Sequence, residues 1–150
     1  MAIEYGDGSD SNTGRVIRVF HNYWTGSQTL SSTSFTTIGS GLAITLTPES
    51  SSSKILMIGN FPSQAYSGAR PRFDIDKDGT PLGDNIGDRA SITSFEGSGD
   101  NTPVSFWWLD EPGDTNSHTY TPVMKQSDGG GWYGNASSNI STFTIFEVAG

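Results

Sequence analysis

The sequence contains no cysteine, so neither a disulfide framework nor a thiolate metal site can hold the chain together, and thiol usage says nothing of its redox compartment. Long apolar runs are missing too. The longest, "ILMIG" at residues 55 to 59, is far below the ~20 residues of a membrane span, and the N-terminus lacks the basic-then-apolar pattern of an export signal. These absences predict a soluble protein with no membrane partner, made without a classical export signal. Basic residues are scarce: 8 Lys and Arg face 16 Asp and Glu, and a net charge of −8 leaves no cationic surface with which to grip a nucleic-acid backbone. Apolar residues make up only 33%, against the ~45–50% (glycine included) of an average globular chain, with Gly, Ser and Thr filling the gap. What remains favours β-structure rich in turns, and 150 residues suffice for one domain that hides roughly 70% of its unfolded surface.

Residues 1 to 14, "MAIEYGDGSDSNTG", carry Glu4, Asp7 and Asp10 with no basic side chain. So polar an arm does not order by itself. It therefore needs a surface to lie on: its own domain, a neighbouring copy, or a different partner met through Ile3 and Tyr5 and the three carboxylates. From Arg15 to Gly150 the chain reads as a second unit, a succession of short β-runs broken by turn clusters, with no stretch of helical period. "GLAITLTP" alternates, with Leu42, Ile44 and Leu46 inward and Pro48 closing the strand. "KILMIGNF" is apolar on both faces, as a central strand would be, and "RFDIDKDG" runs into a hairpin turn at Asp78-Gly79. With "RVIRVFHNYW", "SFTTI", "VSFWWLDEP", "HTYTPVMKQ" and "NISTFTIFEV" the count reaches about eight, the number of a jelly-roll sandwich.

Several strands are apolar on both sides. Val104, Phe106 and Trp108 alternate with Trp107 and Leu109; Val16, Phe20 and Trp24 with Ile17, Val19 and Tyr23; Phe143 and Ile145 with Phe146 and Val148. A two-layer sandwich buries one face of each sheet, so the second apolar face needs another cover. The expectation is an obligate homo-oligomer, packed through Ile17, Val19, Tyr23, Trp107 or Trp108, Leu109, Phe143 and Ile145; a long loop of the same chain is the other way to cover these strands.

Three stretches, "SSTSFTTIGSGLAITLTPESSSSKILM", "LDEPGDTNSHTYTPVMK" and "STFTIFEVAG", resemble a small β-domain found in tailed-bacteriophage virion proteins, in fibre tips and capsid-surface proteins. The shared pattern is a strand ending in Thr-Pro, a Ser-rich loop before Ser-Lys-Ile, a Leu-Asp-x-Pro corner leading to Thr-Tyr, and a closing Ser-Thr-x-Thr-x-x-Glu-Val. The resemblance spans most of residues 15 to 150 and lies in the order and spacing of motifs that are individually common. It implies an all-β antiparallel jelly roll similar to the tumour-necrosis-factor fold, a homotrimer, and a virion location after synthesis in the host cytoplasm. A short arm with no shaft before the domain suits a capsid decoration or cement protein bound to the major capsid protein or another virion protein; a tail-fibre tip that recognises host surface glycan is the alternative. The chain departs from the pattern in Pro122 inside the Thr-Tyr strand, which suggests an edge or a bulge, and in the aromatic "GGGWYGN" stretch, which is richer in ring surface than the family pattern.

No catalytic constellation stands out, and no enzyme is expected. "DIDKDG" imitates the start of a calcium loop, but its twelfth position is Asn85 and its flanks are strands, so Asp74, Asp76 and Asp78 read as the solvated face of a hairpin, with no metal or cofactor. His21 and His118 are not spaced for metal binding or for activating a serine, and Ser40 and Ser98 lack the frame of a nucleophile elbow. Asp110, Glu111 and Asp114 crowd one corner around Pro112 and read as corner and cap residues. Trp132, Tyr133 and Tyr66 sit in Gly- and Ser-rich loops where exposed rings could stack on sugars.

Overall fold

A computed structural model describes residues 14–65, 69–83, 91–94, 101–126, 132–134 and 139–150. Its strands are β1 (Val16–Trp24), β2 (Gln28–Leu30), β3 (Thr36–Thr37), β4 (Ile44–Leu46), β5 (Lys54–Ala65), β6 (Pro71–Lys77), β7 (Thr80–Pro81), β8 (Thr93–Ser94), β9 (Asn101–Asp110), β10 (His118–Gln126), β11 (Trp132–Gly134) and β12 (Ser141–Val148). The eight predicted runs correspond to β1, β3, β4, β5, β6, β9, β10 and β12. The short β2, β7, β8 and β11 extend them, and their three residues or fewer are too little for a periodicity to show.

All the pairings are antiparallel and form two sheets. The first runs β1-β12-β5-β9, with β11 and β2 continuing beside the far half of β5; in the second, β10 lies between β6 and the consecutive β4 and β3, and β6 carries β7 and β8 on its other side. One core joins them as a β-sandwich. Ile55, Met57 and Phe61 of the first sheet meet Phe73, Ile75 and Met124 of the second, all fully buried. At its centre the Phe61 ring lies 6.2 Å from Phe73 and 5.5 Å from Phe106, distances at which aromatic pairs attract. Gly59 is dictated by this cluster, since a Cβ there would come within 2.6 Å of the Phe61 ring.

The hairpin at Asp78-Gly79 forms as its sequence predicts. Lys77 pairs with Thr80, and the two loop residues take φ of 53° and 91°, the left-handed pair of a type I′ turn. Pro122 is not on an edge: it pairs with Ile75 in β10, the central strand of its sheet. A strand residue's N–H and C=O point to the same side, and the Pro122 carbonyl accepts from the Ile38 amide, beyond the end of β3. The imide nitrogen thus faces the gap where β10's partner changes from β4 to β3, so no ladder bond is lost there.

Alternation along the strands decides which predicted residues are inside. Phe143 and Ile145, expected at a subunit contact, are fully buried in this core and cannot reach another chain. Trp108 also leans on the core, while Trp107 is 67% exposed, which decides between the two tryptophans. β1 slips by one residue between Val16 and Arg18, so Val16 is exposed instead of sharing the inner side with Phe20 and Trp24, and Ile17 is half-buried at the bulge. Truncating Phe61 to Ala is expected to lower the unfolding free energy by about 3–5 kcal/mol, measured by chemical denaturation.

Candidate functional site

Register places the outward side chains of the first sheet in rows across four strands. One row is Val19, Phe146, Leu56 and Leu109; the next is His21, Thr144, Ile58 and Trp107; the third is Tyr23, Thr142, Asn60 and Ser105. Paired residues point to the same face, so each row is contiguous. With strands ~4.8 Å apart and ~6.8 Å between rows, the face measures about 14 Å each way. The first row is wholly apolar, and Val19 and Tyr23 are 55% and 65% exposed beside Trp107 at 67%. The face is not uniformly greasy. Thr144 Oγ1 lies 2.9 Å from His21 Nδ1, and Ser105 donates to Asn60 Oδ1 at 3.1 Å. The polar side chains therefore gather at one end and the apolar row at the other, and no charged residue stands in any of the three rows.

Sheet two presents the opposite surface. Its outward pairs are Thr45 with Thr119, Thr121 with Asp76, Val123 with Asp74, and Lys125 with Arg72. The pair Val123 and Asp74 is buried by the chain itself, where Gly83 lies against the Asp74 carboxylate and donates its amide to Oδ1 at 3.0 Å. Asp74 is thus fully buried and not solvated as its place in "DIDKDG" suggests. The three carboxylates of that stretch go to different tasks: Asp76 accepts from Gly79 N at 2.6 Å, and Asp78 from Thr119 N at 2.8 Å.

Two ionic clusters fasten the sandwich behind the face. Glu147, fully buried at the end of β12, receives the Arg18 guanidinium on Oε2 and the Glu49 amide on Oε1 at 2.6 Å, and Arg18 also donates to the Thr47 carbonyl at 2.6 Å. Burial pushes the Glu147 carboxyl up, but the Glu49 amide, Arg18 and the Ser53 hydroxyl outweigh it and hold the group below the usual range. Elsewhere, Asp110 Oδ2 takes both Lys77 Nζ and Tyr120 OH at 2.8 Å; burial and this neighbouring carboxylate push the phenol far up, so it stays protonated. His118 joins this corner. Its Nδ1 is 2.6 Å from Asp78 Oδ2 and its Nε2 3.0 Å from Asp114 Oδ1, so both ring nitrogens face carboxylates. Glu111 pairs with Lys54 at 3.1 Å. Asp110, Glu111 and Asp114 are therefore engaged as corner residues. Among the described residues no group of three or more His, Asp or Glu converges as a metal site would.

Of the predicted contact residues, Val19, Tyr23, Trp107 and Leu109 come together on this face. Leu56, Ile58 and Phe146 complete it; the two-faced apolarity of "KILMIGNF" is the signal for the first two, and the alternation of the last strand for Phe146. Trp132 and Tyr133 lie in β11, opposite Leu30 and Thr29. Ile3, Glu4, Tyr5, Asp7, Asp10 and Tyr66 lie outside the described residues. Neither a scan of protein-family models nor a search of curated proteins finds a match to this chain.

The His118 clasp has a definite pH dependence. The Asp78 hydrogen bond, opposed by burial and reinforced by Asp114, raises the imidazole above its ordinary value of about 6.5. A raised folded-state value means that the stabilisation is complete below the unfolded value and is lost as pH rises through the folded one. Unfolding free energy is expected to fall as pH climbs from about 6.5 upward, and His118→Gln to flatten that slope, as read by urea denaturation across pH.

Proposed function

We propose that this chain is a non-enzymatic structural protein of a bacteriophage virion, a homotrimer whose subunits meet through the outer face of the first sheet and which decorates the capsid. The observation that carries the self-association is the apolar row Val19, Phe146, Leu56 and Leu109, left open beside Ile58 and Trp107. Fully burying one such aliphatic side chain is favourable by about 1.5–3 kcal/mol, which is the gain available to whatever covers the row.

A second copy of the chain is the occupant that charge favours. Each copy carries −8, so most approaches between two copies are repulsive, yet the three rows of this face contain no carboxylate at all. A patch of this size supplies the apolar centre of an interface, and a stable one buries about 800 Å² per partner, with the polar row and the strand ends as its rim.

The jelly roll and the threefold symmetry are what the phage resemblance implies, and the strand order supports the former. β1-β12-β5-β9 lies against β4-β10-β6-β8, and the chain crosses between sheets from β2 to β3, β4 to β5, β5 to β6, β8 to β9, β9 to β10 and β10 to β11. The motifs behind the resemblance have structural work that fits a scaffold: Asp110 of the Leu-Asp-x-Pro corner bonds Tyr120 of Thr-Tyr, and Glu147 of the closing motif holds Arg18 and the Glu49 amide. Attachment to the capsid is assigned to the N-terminal arm, which joins the domain beside its C-terminus, where Gly14 N donates to the Ala149 carbonyl at 2.6 Å.

Sedimentation of the purified chain at micromolar concentration is expected to give three times the 16.0 kDa subunit mass. Leu109→Glu, a change on an already exposed side chain, should leave a folded monomer. A wild-type monomer that stays folded and dispersed would overturn the proposal, and specific binding on a glycan array would redirect it to a receptor-binding fibre tip.

A further inference from the structure

The self-association proposed above places a histidine where an acid-sensitive contact needs one, and the inference rests on that reading. His21 stands in the middle row of the face, exposed, between Val19 and Tyr23 of its own strand. On β12 it meets Thr144 directly, with Thr142 and Phe146 to either side, and Ile58 of β5 lies beyond Thr144. Among these neighbours the only other titratable group is the Tyr23 phenol. Of the charged residues of the adjoining strands, Arg18 and Glu147 bond to each other on the inner side of β1 and β12, and Lys54 and Glu111, on the same outer face one row beyond Leu56 and Leu109, pair with each other beside Val148.

We propose that His21 makes association through this face acid-labile. The face leaves this ring open to water, and histidine is the side chain whose charge changes within the physiological pH range. Covered by the corresponding three rows of a second copy, which hold no carboxylate, an imidazolium loses its hydration and gains no anion in exchange. The neutral ring fits both states, because Thr144 Oγ1 at 2.9 Å can satisfy Nδ1 in either tautomer. Association that disfavours the imidazolium is therefore weakened by acid, and affinity falls by up to about tenfold per protomer for each pH unit. The chain's other histidine works in the opposite sense, since protonation strengthens the bonds of His118 to Asp78 and Asp114. Acid thus loosens the contact between copies while the fold of each copy holds.

The test is sedimentation velocity of the full chain at about pH 7.5 and about pH 5.5 at one ionic strength, for wild type and His21→Gln, with circular dichroism to verify folding. The expected result is a wild-type oligomer at the higher pH that dissociates into folded subunits at the lower one, and a His21→Gln oligomer that persists at both. A wild-type oligomer indifferent to pH, or a variant that dissociates as wild type does, overturns the role of His21 while leaving self-association standing. A wild-type monomer at both pH values sinks the self-association and this inference together. His21→Asn replaces the variant if His21→Gln does not fold.

Discussion

Apolar residues at successive positions of β1, β5, β9 and β12 impose the constraint on which this molecule depends. A strand sends neighbouring side chains to opposite faces, so Phe106 and Trp108 can join the core only by turning Trp107 and Leu109 away from it. The same holds for Ile55 and Met57 against Leu56 and Ile58, and for Phe143 and Ile145 against Phe146 and Val148. One sandwich has one interior, and the first sheet has enough apolar surface for two. The side that faces inward is stapled at one end, along the row of Ile55, by Arg18 with Glu147 and by Lys77 with Asp110 and Tyr120.

The two sheets resolve the problem of the outer face differently. Sheet two keeps Thr, Asp, Lys and Arg on most of its exterior, and where a valine faces out, at Val123, it is buried along with its partner Asp74. Lys125 likewise lies over the Phe35 ring, 4.1 Å from its centroid, a cation–π contact that shields an aromatic with the molecule's own charge. Sheet one has no such cover among the described residues. The three rows of its exposed face carry no charged residue on a strongly acidic molecule.

Much of this was legible in the chain. Alternation located the long strands, Asp78-Gly79 located the hairpin, and the doubled apolar pattern announced a second face needing cover. The last strand faces the other way from the expectation, with Phe143 and Ile145 inward beside Glu147, whereas Val19 and Tyr23 of β1 do face out although Arg18 shares the inner side with Phe20. The Glu49 amide and Arg18, 98 and 129 residues from Glu147, make the buried arrangement tolerable, and no local pattern reveals them. Asp110 on the Trp108 side of β9 is the same case, answered by Lys77. Asp74 is a third, buried because Gly83 closes over it, and the bulge that exposes Val16 shifts a period that the sequence continues unbroken.

The measurement that reaches the central claim most directly is hydroxyl-radical footprinting of the side chains of the intact protein at micromolar concentration. Trp107, two-thirds exposed on the single subunit, should be protected together with Leu109 and Tyr23, and should become reactive when the protein is diluted to dissociation. Oxidation of Trp107 at the rate of a free indole, unchanged over that range of concentration, would contradict the account.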